Sequence, residues 1–215
     1  MSDLIGISPS WLEANAHGVR EDIHCYWRGF FLARYWMWRR LDSLARTIAL
    51  GDLRSSALDV GGGAGLLLPT LSRHFESVTL LDLDPSVAEK VKNYYALTNV
   101  KILRANVLET ELPANSFDLI VASAFLEHFP DASLPIGRVH QWLKPGGIFL
   151  VDLPTENWAY RLGRAVGRIE KPKDHYHGAK DIRPLLLNRF TPVREGYIPF
   201  RPFALYYQAS LKKRA

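Results

Sequence analysis

The sequence predicts an α/β fold: a doubly wound, mostly parallel, seven-stranded sheet with an N-terminal helical extension. Three observations carry that expectation. Five short apolar runs alternate with helical patterns between Ser56 and Leu153, and strands that are apolar throughout belong to a parallel sheet covered on both faces. The stretch Asp59-Val60-Gly61-Gly62-Gly63-Ala64-Gly65 joins the first run to the first of those helices, which is the opening half of a βαβ unit. Finally, Val193 to Ile198 and Phe203 to Ser210 form two more strand-like runs around Pro199-Phe200-Arg201-Pro202, a closing hairpin.

The elements follow in order. Ser8-Pro9 supplies a helix cap and first helical residue ahead of Trp11 and Leu12, since proline there loses only an N–H that has no partner. From Tyr26 to Leu50, Trp27, Phe30 or Phe31, Trp38, Leu41, Leu44 and Ile48 recur at helical spacing, and Gly51 stops the helix. Residues 1–51 are expected as an aromatic helical cap on a ligand-binding domain spanning 52–215. After the glycine stretch, Leu66, Leu67, Leu71 and Phe75 mark a helix. The next strand runs from Ser77 to Asp82, and Pro85 then opens a helix to about Leu97. Asn99 to Arg104 and Phe117 to Ala122 are further strands. Ala132 to Leu143 is a helix, and Ile148 to Leu153 is the fifth strand. A basic insert at 154–178 carries Trp158, Leu162, Val166 and Ile169 on one helical face and Arg161, Arg164 and Arg168 on another. Asp181 to Asn188 is the last helix.

Composition bounds the function. The chain has 215 residues, 47% hydrophobic and 23% charged, ordinary values for a globular protein. No apolar run approaches the ~20 residues that cross a bilayer. The N-terminus lacks the basic-then-apolar layout of a signal peptide, so a cytoplasmic location is expected. One cysteine, Cys25, excludes an internal disulfide and a multi-cysteine zinc site. The net charge of +5 is uneven: residues 155–215 carry 13 Lys/Arg against 5 Asp/Glu, and the remainder 14 against 17. A basic C-terminal third suits an acidic partner or an anionic surface.

Glycines let the backbone turn sharply and let a ligand approach with no Cβ in the way. The spacing here is G-x-G-x-G, with Leu66 where a dinucleotide fingerprint has its third glycine. Taken alone, the loop fits a structural turn or a displaced dinucleotide site as well. With Asp59 ahead of it, the stretch resembles the first motif of class I S-adenosylmethionine (SAM) dependent methyltransferases, (D/E)-x-G-x-G-x-G. Phe117-Asp118-Leu119-Ile120-Val121 followed by Leu126-Glu127-His128 is similar to a later motif of their small-molecule branch, and so is the turn Leu143-Lys144-Pro145-Gly146-Gly147. Asp174-His175-Tyr176-His177 resembles a stretch many members place near a final helix. The similarity runs from about Leu58 to Leu187, and is nearest to the ubiquinone/menaquinone-biosynthesis type.

That resemblance implies a Rossmann-like methyltransferase fold with SAM as cofactor and S-adenosylhomocysteine as product. It implies cofactor contacts from Gly61, Gly62, Gly63, Gly65, Val107 and Ser123, with Asp59 serving the loop N–H groups or the methionyl ammonium. Asp82 would take the ribose hydroxyls, Leu83 an adenine face, and Asn106, where Asp is commonest, the adenine amine. Arg40 would pair with the methionyl carboxylate. His128 is the expected base with Glu127 orienting it, and His175 and His177 reach over the site. Some members hold a divalent metal through Glu-x-x-Glu-His. The first Glu is Ala124 here, so no metal is expected.

The expected activity is methyl transfer to a small-molecule, lipophilic acceptor. A nucleic-acid or protein methyltransferase using the basic third is the alternative, with a non-methylating nucleotide binder or NAD-dependent enzyme third. Nucleic acid is disfavoured because Ala122-Ser123-Ala124-Phe125 replaces the (N/D)-P-P-(Y/F) motif of DNA amine methyltransferases. The two faces of 158–169 suit peripheral contact with an anionic membrane. The oligomeric state has no signal in the chain.

Overall fold

Neighbouring residues of the central strands point to opposite faces of one sheet, and both faces are dry. The structure, a computed structural model, describes residues 3–16, 21–28, 31–52, 54–167 and 174–214. Strand β1 (Ser56–Val60) sends Ala57 into one core and Leu58 and Val60 into the other. Strand β4 (Phe117–Ser123) divides Leu119 and Val121 from Ile120 and Ala122 in the same way. This is the two-residue period of a strand buried on both sides, and it explains the unbroken apolar runs.

The sheet order is β3-β2-β1-β4-β5-β7-β6. Strands β2 (Ser77–Asp82), β3 (Val100–Arg104) and β5 (Leu143–Pro154) join β1 and β4 in parallel. The hairpin of β6 (Phe190–Ile198) and β7 (Tyr206–Lys213) closes the edge, with β7 antiparallel to β5. Strand order reverses between β1 and β4, where ligands of such sheets bind beyond the carboxyl ends of the strands. The expected fold stands.

Helices α1 (Pro9–Asn15), α2 (Phe31–Leu50), α3 (Leu68–His74) and α4 (Ser86–Tyr94) cover one face. Helices α5 (Ser133–Trp142) and α7 (Ala179–Arg189) cover the other, through Ile136, Val139, Trp142, Ile182 and Leu186. Between them in sequence, α6 (Trp158–Gly167) belongs to the insert. The N-terminal segment shares its core with the sheet: Leu12, Leu41, Leu44 and Ile48 pack in one cluster with Leu71, Val78 and Leu80.

Several boundaries differ from the sequence reading: α4 ends at Tyr94, β6 begins at Phe190 and β7 runs from Tyr206 to Lys213, and three further differences bear on the site. The long N-terminal helix begins at Phe31, and Tyr26 instead ends a short 3-10 helix, Glu21–Tyr26. The Tyr26 and Trp27 carbonyls accept from the Trp38 indole (3.2 Å) and the Arg34 guanidinium (3.1 Å), so side chains replace the helical ladder there. Helix α3 starts at Leu68, after tight turns from Gly62 O to Gly65 N–H and from Gly65 O to Leu68 N–H. The Lys144–Gly147 turn lies within β5, where Leu143 pairs with Phe117 before the register jumps to Ile148 opposite Leu119. Of the insert, Arg168 and Ile169 fall outside the described residues.

One buried ion pair fastens the N-terminal helix to the sheet. Arg40 of α2 donates to Asp152 of β5 at 2.9 Å, with side chains only 5% and 0% exposed. Arg40 also donates to the Tyr26 hydroxyl (2.7 Å) and stacks on Tyr206, 4.7 Å from its centroid. Asp152 receives Gln208 Nε2 at 3.0 Å on Oδ1 and Ser123 Oγ at 3.2 Å on Oδ2. Burial pushes the Asp152 carboxyl up, while Arg40, Gln208 and Ser123 pull it back toward the ionised form. Breaking one side of such a pair leaves an uncompensated buried charge, a loss of about 3–5 kcal/mol. Arg40→Met should therefore lower the unfolding free energy by that amount. In urea denaturation, Arg40→Met/Asp152→Asn should lose less than the two single variants added together.

Candidate active site

The site forms where β1 gives way to its glycine loop. Gly61, Gly63 and Gly65 adopt φ of 67°, 50° and 71°, a region that strains any residue with a Cβ. A Cβ on Gly61 would stand 2.0 Å from the Phe125 ring. Gly62 is required for another reason, since its Cβ would stand 2.7 Å from Asp59 Oδ2. The loop therefore runs directly over a buried carboxylate and directly under an aromatic ring.

Two acids with different surroundings flank the loop. Asp82 ends β2, accepting Gly63 N–H at 2.8 Å on Oδ2 and Asp84 N–H at 2.8 Å on Oδ1. The loop N–H that the sequence reading offered to Asp59 thus belongs to Asp82. Asp84 caps the next turn, accepting from Ser86 N–H and pairing with Arg104. Asp59 is 3% exposed. Burial, with the Asp82 carboxylate adding to it, pushes its carboxyl up to about 7.

The next strand contributes a shaped turn. Asn106 Oδ1 accepts Leu108 N–H at 3.0 Å, and its Nδ2 donates to Glu109 at 3.1 Å. Val107 is buried beside it, whereas Leu83 beyond β2 is 69% exposed. Ser123 is turned away from the glycine loop's carboxylates and onto Asp152. Arg40 is likewise committed to Asp152 and Tyr26, with its buried Nε lacking a hydrogen-bond partner. Its placement corrects the expected carboxylate-binding role to a structural tie, because Asp152 satisfies its charge inside the protein.

Beyond β4 the chain kinks at Ala124, a non-glycine residue at φ 50° whose N–H donates to Asp152 O at 2.9 Å. Phe125 then covers Gly61, and Leu126–His128 forms a single 3-10 turn. Residues 174–178 clip onto this turn. Asp174 Oδ2 meets His128 Nδ1 at 3.1 Å, Tyr176 N–H donates to Glu127 O at 2.9 Å, and His177 Nε2 bonds Pro130 O at 2.9 Å. The His175 ring sits edge-on to His128, with centroids 4.7 Å apart.

Glu127, His128 and His175 consequently meet, each offering a ligand atom within 4.8 Å of the others. Two expected roles change. Asp174, which sequence reasoning noted but gave no role, holds the His128 imidazole in place of Glu127. His177 is turned to a backbone carbonyl and stays out of the cluster. Pairing across 46 residues has no local signature, so the Asp174-His175-Tyr176-His177 stretch was the only signal available.

Residues 58–151, spanning β1 to β5 and the loops between them, match the family described as a methyltransferase domain. An uncharacterized methyltransferase of Mycobacterium bovis is 35% identical over 94 residues, which make up 44% of this chain and 48% of that protein. The chain thus spans about half the length of such relatives. A ubiquinone biosynthesis O-methyltransferase of Xanthomonas campestris is 34% identical over 155 residues, 67% of this chain and 63% of that protein. Among solved structures, the N-methyltransferase NodS of Bradyrhizobium japonicum, in complex with S-adenosyl-L-homocysteine, superposes with a TM-score of 0.71. Its identity is 19%, and the match covers 96% of this chain and 98% of that one, a likeness of fold. The matched region includes the glycine loop, Asp82, Asn106 and His128 but ends before α6, Asp174 and His175.

The raised Asp59 carboxyl has a signed consequence. The folded state holds this proton more tightly than the unfolded chain does, so the contribution to stability is present at acid pH. It is lost as pH rises from about 4 to about 7. Asp59→Asn removes that slope. Between pH 4 and pH 8 the difference in unfolding free energy should move in favour of the variant by on the order of 4 kcal/mol, at about 1.4 kcal/mol per tenfold change in proton affinity. Chemical denaturation of both proteins across that range measures it.

Proposed function

We propose that this protein transfers the methyl group of SAM to a small-molecule, lipophilic acceptor. The observation that carries the reading is the Asp82 carboxylate, anchored by Gly63 N–H at the carboxyl end of β2 beside a loop of positive-φ glycines. A carboxylate accepts from two vicinal hydroxyls with matched geometry, which suits the ribose of SAM. Asp59, buried beneath the loop, suits the methionyl ammonium, and that cation would draw the carboxyl toward its ionised form. Leu83, 69% exposed beside Asp82, offers an apolar face to the adenine, and Asn106 and Val107 border the same end of the sheet. The solved likeness of NodS with S-adenosylhomocysteine supports this cofactor.

In the reaction the acceptor's nucleophilic atom attacks the sulfonium methyl in line. The sulfur–methyl bond breaks with its electron pair passing to sulfur, and the acceptor's proton leaves. Most of the rate comes from holding donor and acceptor in attack geometry. Glu127, His128 and His175 cluster just after Phe125 in the fold and are our candidates to orient an acceptor hydroxyl and take up its proton. The relative named for ubiquinone biosynthesis supports an oxygen nucleophile on a lipophilic ring.

The surface around α6 suits such an acceptor. Trp158 and Leu162 are 54% and 55% exposed, and Trp158 meets Phe203 of the hairpin turn at 5.4 Å between centroids. Phe200 continues the patch, 6.0 Å from Phe203 between centroids, and Arg161 and Arg201 are exposed on the same two segments. The expected arginine face is only partly available, because Arg164 is turned inward to both Glu156 oxygens at 2.8 Å. The exposed aromatic patch, with exposed Arg161 and Arg201 on the same two segments among the described residues, fits peripheral docking at the headgroup level of an anionic membrane.

Isothermal titration should give micromolar or tighter binding of SAM and its demethylated product, with NAD(H) binding at least about 100-fold weaker. Asp82→Ala removes two charge-assisted hydrogen bonds and should weaken SAM binding by about 100-fold. Tight NAD binding without SAM binding overturns the reading. For the docking surface, co-sedimentation with anionic vesicles at low salt should fall several-fold in Trp158→Ser/Phe203→Ser. Equal sedimentation of both proteins, or none by the wild type, removes the membrane contact.

A further inference from the structure

We infer that the cleft between α7 and the turn of the β6–β7 hairpin is a binding site for a phosphate monoester, separate from the methyl-transfer site. The cleft has a volume of about 440 Å³ and opens between Lys180, Arg183 and Pro184 of α7, Tyr197 of β6, and Arg201 and Pro202 of the hairpin turn. A second hollow of about 600 Å³ shares Arg183, Tyr197 and Arg201 with it. Volumes of this size suit a small molecule. Neither the glycine loop nor Glu127, His128 or His175 lines either space.

Charge selects the ligand. Lys180, Arg183 and Arg201 face a single lining carboxylate, Glu195, which leaves two positive charges unbalanced. A phosphate monoester carries about −1.5 to −2 at neutral pH, whereas a carboxylate or a phosphodiester carries only one negative charge. Glu195 is also fully engaged. Its Oε1 accepts from Arg183 Nε at 2.7 Å and from the Tyr207 hydroxyl, and its Oε2 accepts from Arg183 Nη2 at 3.0 Å.

The cations are held ready. The fork onto Glu195 fixes the Arg183 guanidinium yet leaves its Nη1 without a protein partner among the described residues. Arg201 lies on the Tyr197 ring, 4.1 Å from its centroid, and donates to the Tyr197 hydroxyl through Nη2 alone. Its Nε and Nη1 are unengaged among the described residues, as is the exposed Lys180 ammonium. Guanidiniums fixed by other partners lose little freedom on binding, and their planar forks match phosphate oxygens in pairs. Pro184 and Pro202 give the cleft an apolar wall. The ligand class is therefore a phosphate monoester on a compact apolar body, which a soluble phosphorylated molecule or a phosphatidic acid headgroup can present.

The probe is phenyl phosphate, titrated calorimetrically into the full chain at low salt. Wild type should bind it with a submillimolar Kd, at least about 10-fold tighter than benzoate. Lys180→Gln and Arg201→Gln should each weaken binding about 10-fold, and the double variant about 100-fold. Urea denaturation of the same samples reports that each variant is folded. Saturating phenyl phosphate should leave SAM affinity unchanged. The site does not depend on the methyl donor, so absent SAM binding would overturn the methyl-transfer reading and leave phenyl phosphate binding intact. Phosphatidylcholine vesicles doped with phosphatidic acid, compared with phosphatidylglycerol vesicles of matched surface charge, separate the two sources. A preference for phosphatidic acid that the double variant loses supports the site and assigns it to a lipid headgroup. Binding of phenyl phosphate without that preference supports the site and assigns it to a soluble ester. No binding of phenyl phosphate at millimolar concentration, together with no preference for phosphatidic acid, overturns the inference. So does displacement of SAM by phenyl phosphate, or a folded double variant that binds as wild type does.

Discussion

A guanidinium does not surrender its proton inside a protein, so burying Arg40 obliges a carboxylate to be buried with it. Asp152 meets that demand, and much of the site's geometry follows. The Asp152 side chain ties α2, the end of β4 through Ser123, and β7 through Gln208. Its backbone carbonyl receives the Ala124 N–H. The kink after β4 is therefore referenced to the same residue that secures the N-terminal helix. From that kink Phe125 is set over Gly61, and the turn bearing Glu127 and His128 is set beyond it. Burial of one charge thus coordinates elements drawn from three parts of the chain.

The sheet was legible because its signals are local. Apolar runs of strand length, helical spacing between them and glycines at the first turn each lie within a dozen residues. The same locality exposed Asp59, Asp82 and the alternating glycines, where positive φ and close approach leave no choice of residue. What the sequence hid was long-range. Arg40 has no neighbour in sequence announcing that its partner is Asp152, and the family resemblance alone assigned it to the methionyl carboxylate. Asp174 and His175 join Glu127 and His128 only after the chain has passed through β5, α6 and residues that follow it. The helix boundary at Phe31 was hidden for a related reason, because the Trp38 and Arg34 side chains cap carbonyls that periodicity assigns to a helix.

Charge counting was similarly incomplete. The C-terminal third carries a surplus of basic residues, yet several are used internally. Arg164 forks onto Glu156 and Arg183 onto Glu195, while Lys213 bonds Asn115 and the Leu143 carbonyl. Among the described residues, what remains outward around α6 is aromatic before it is cationic. That shifts the physical character of the surface from long-range electrostatic attraction, which salt screens, toward short-range partition of rings into an interface.

The clip of residues 174–178 onto the Leu126–His128 turn carries a consequence for how such proteins diverge. The outward-facing α6 and the residues that clip onto the Leu126–His128 turn lie on one stretch of sequence, starting where β5 ends. A change in the length or pitch of that segment would move Trp158 at the surface and His175 in the interior together. In the proposed reading, the docking surface and the groups that meet the acceptor are therefore inherited as a single cassette, grafted onto a sheet that need not change at all.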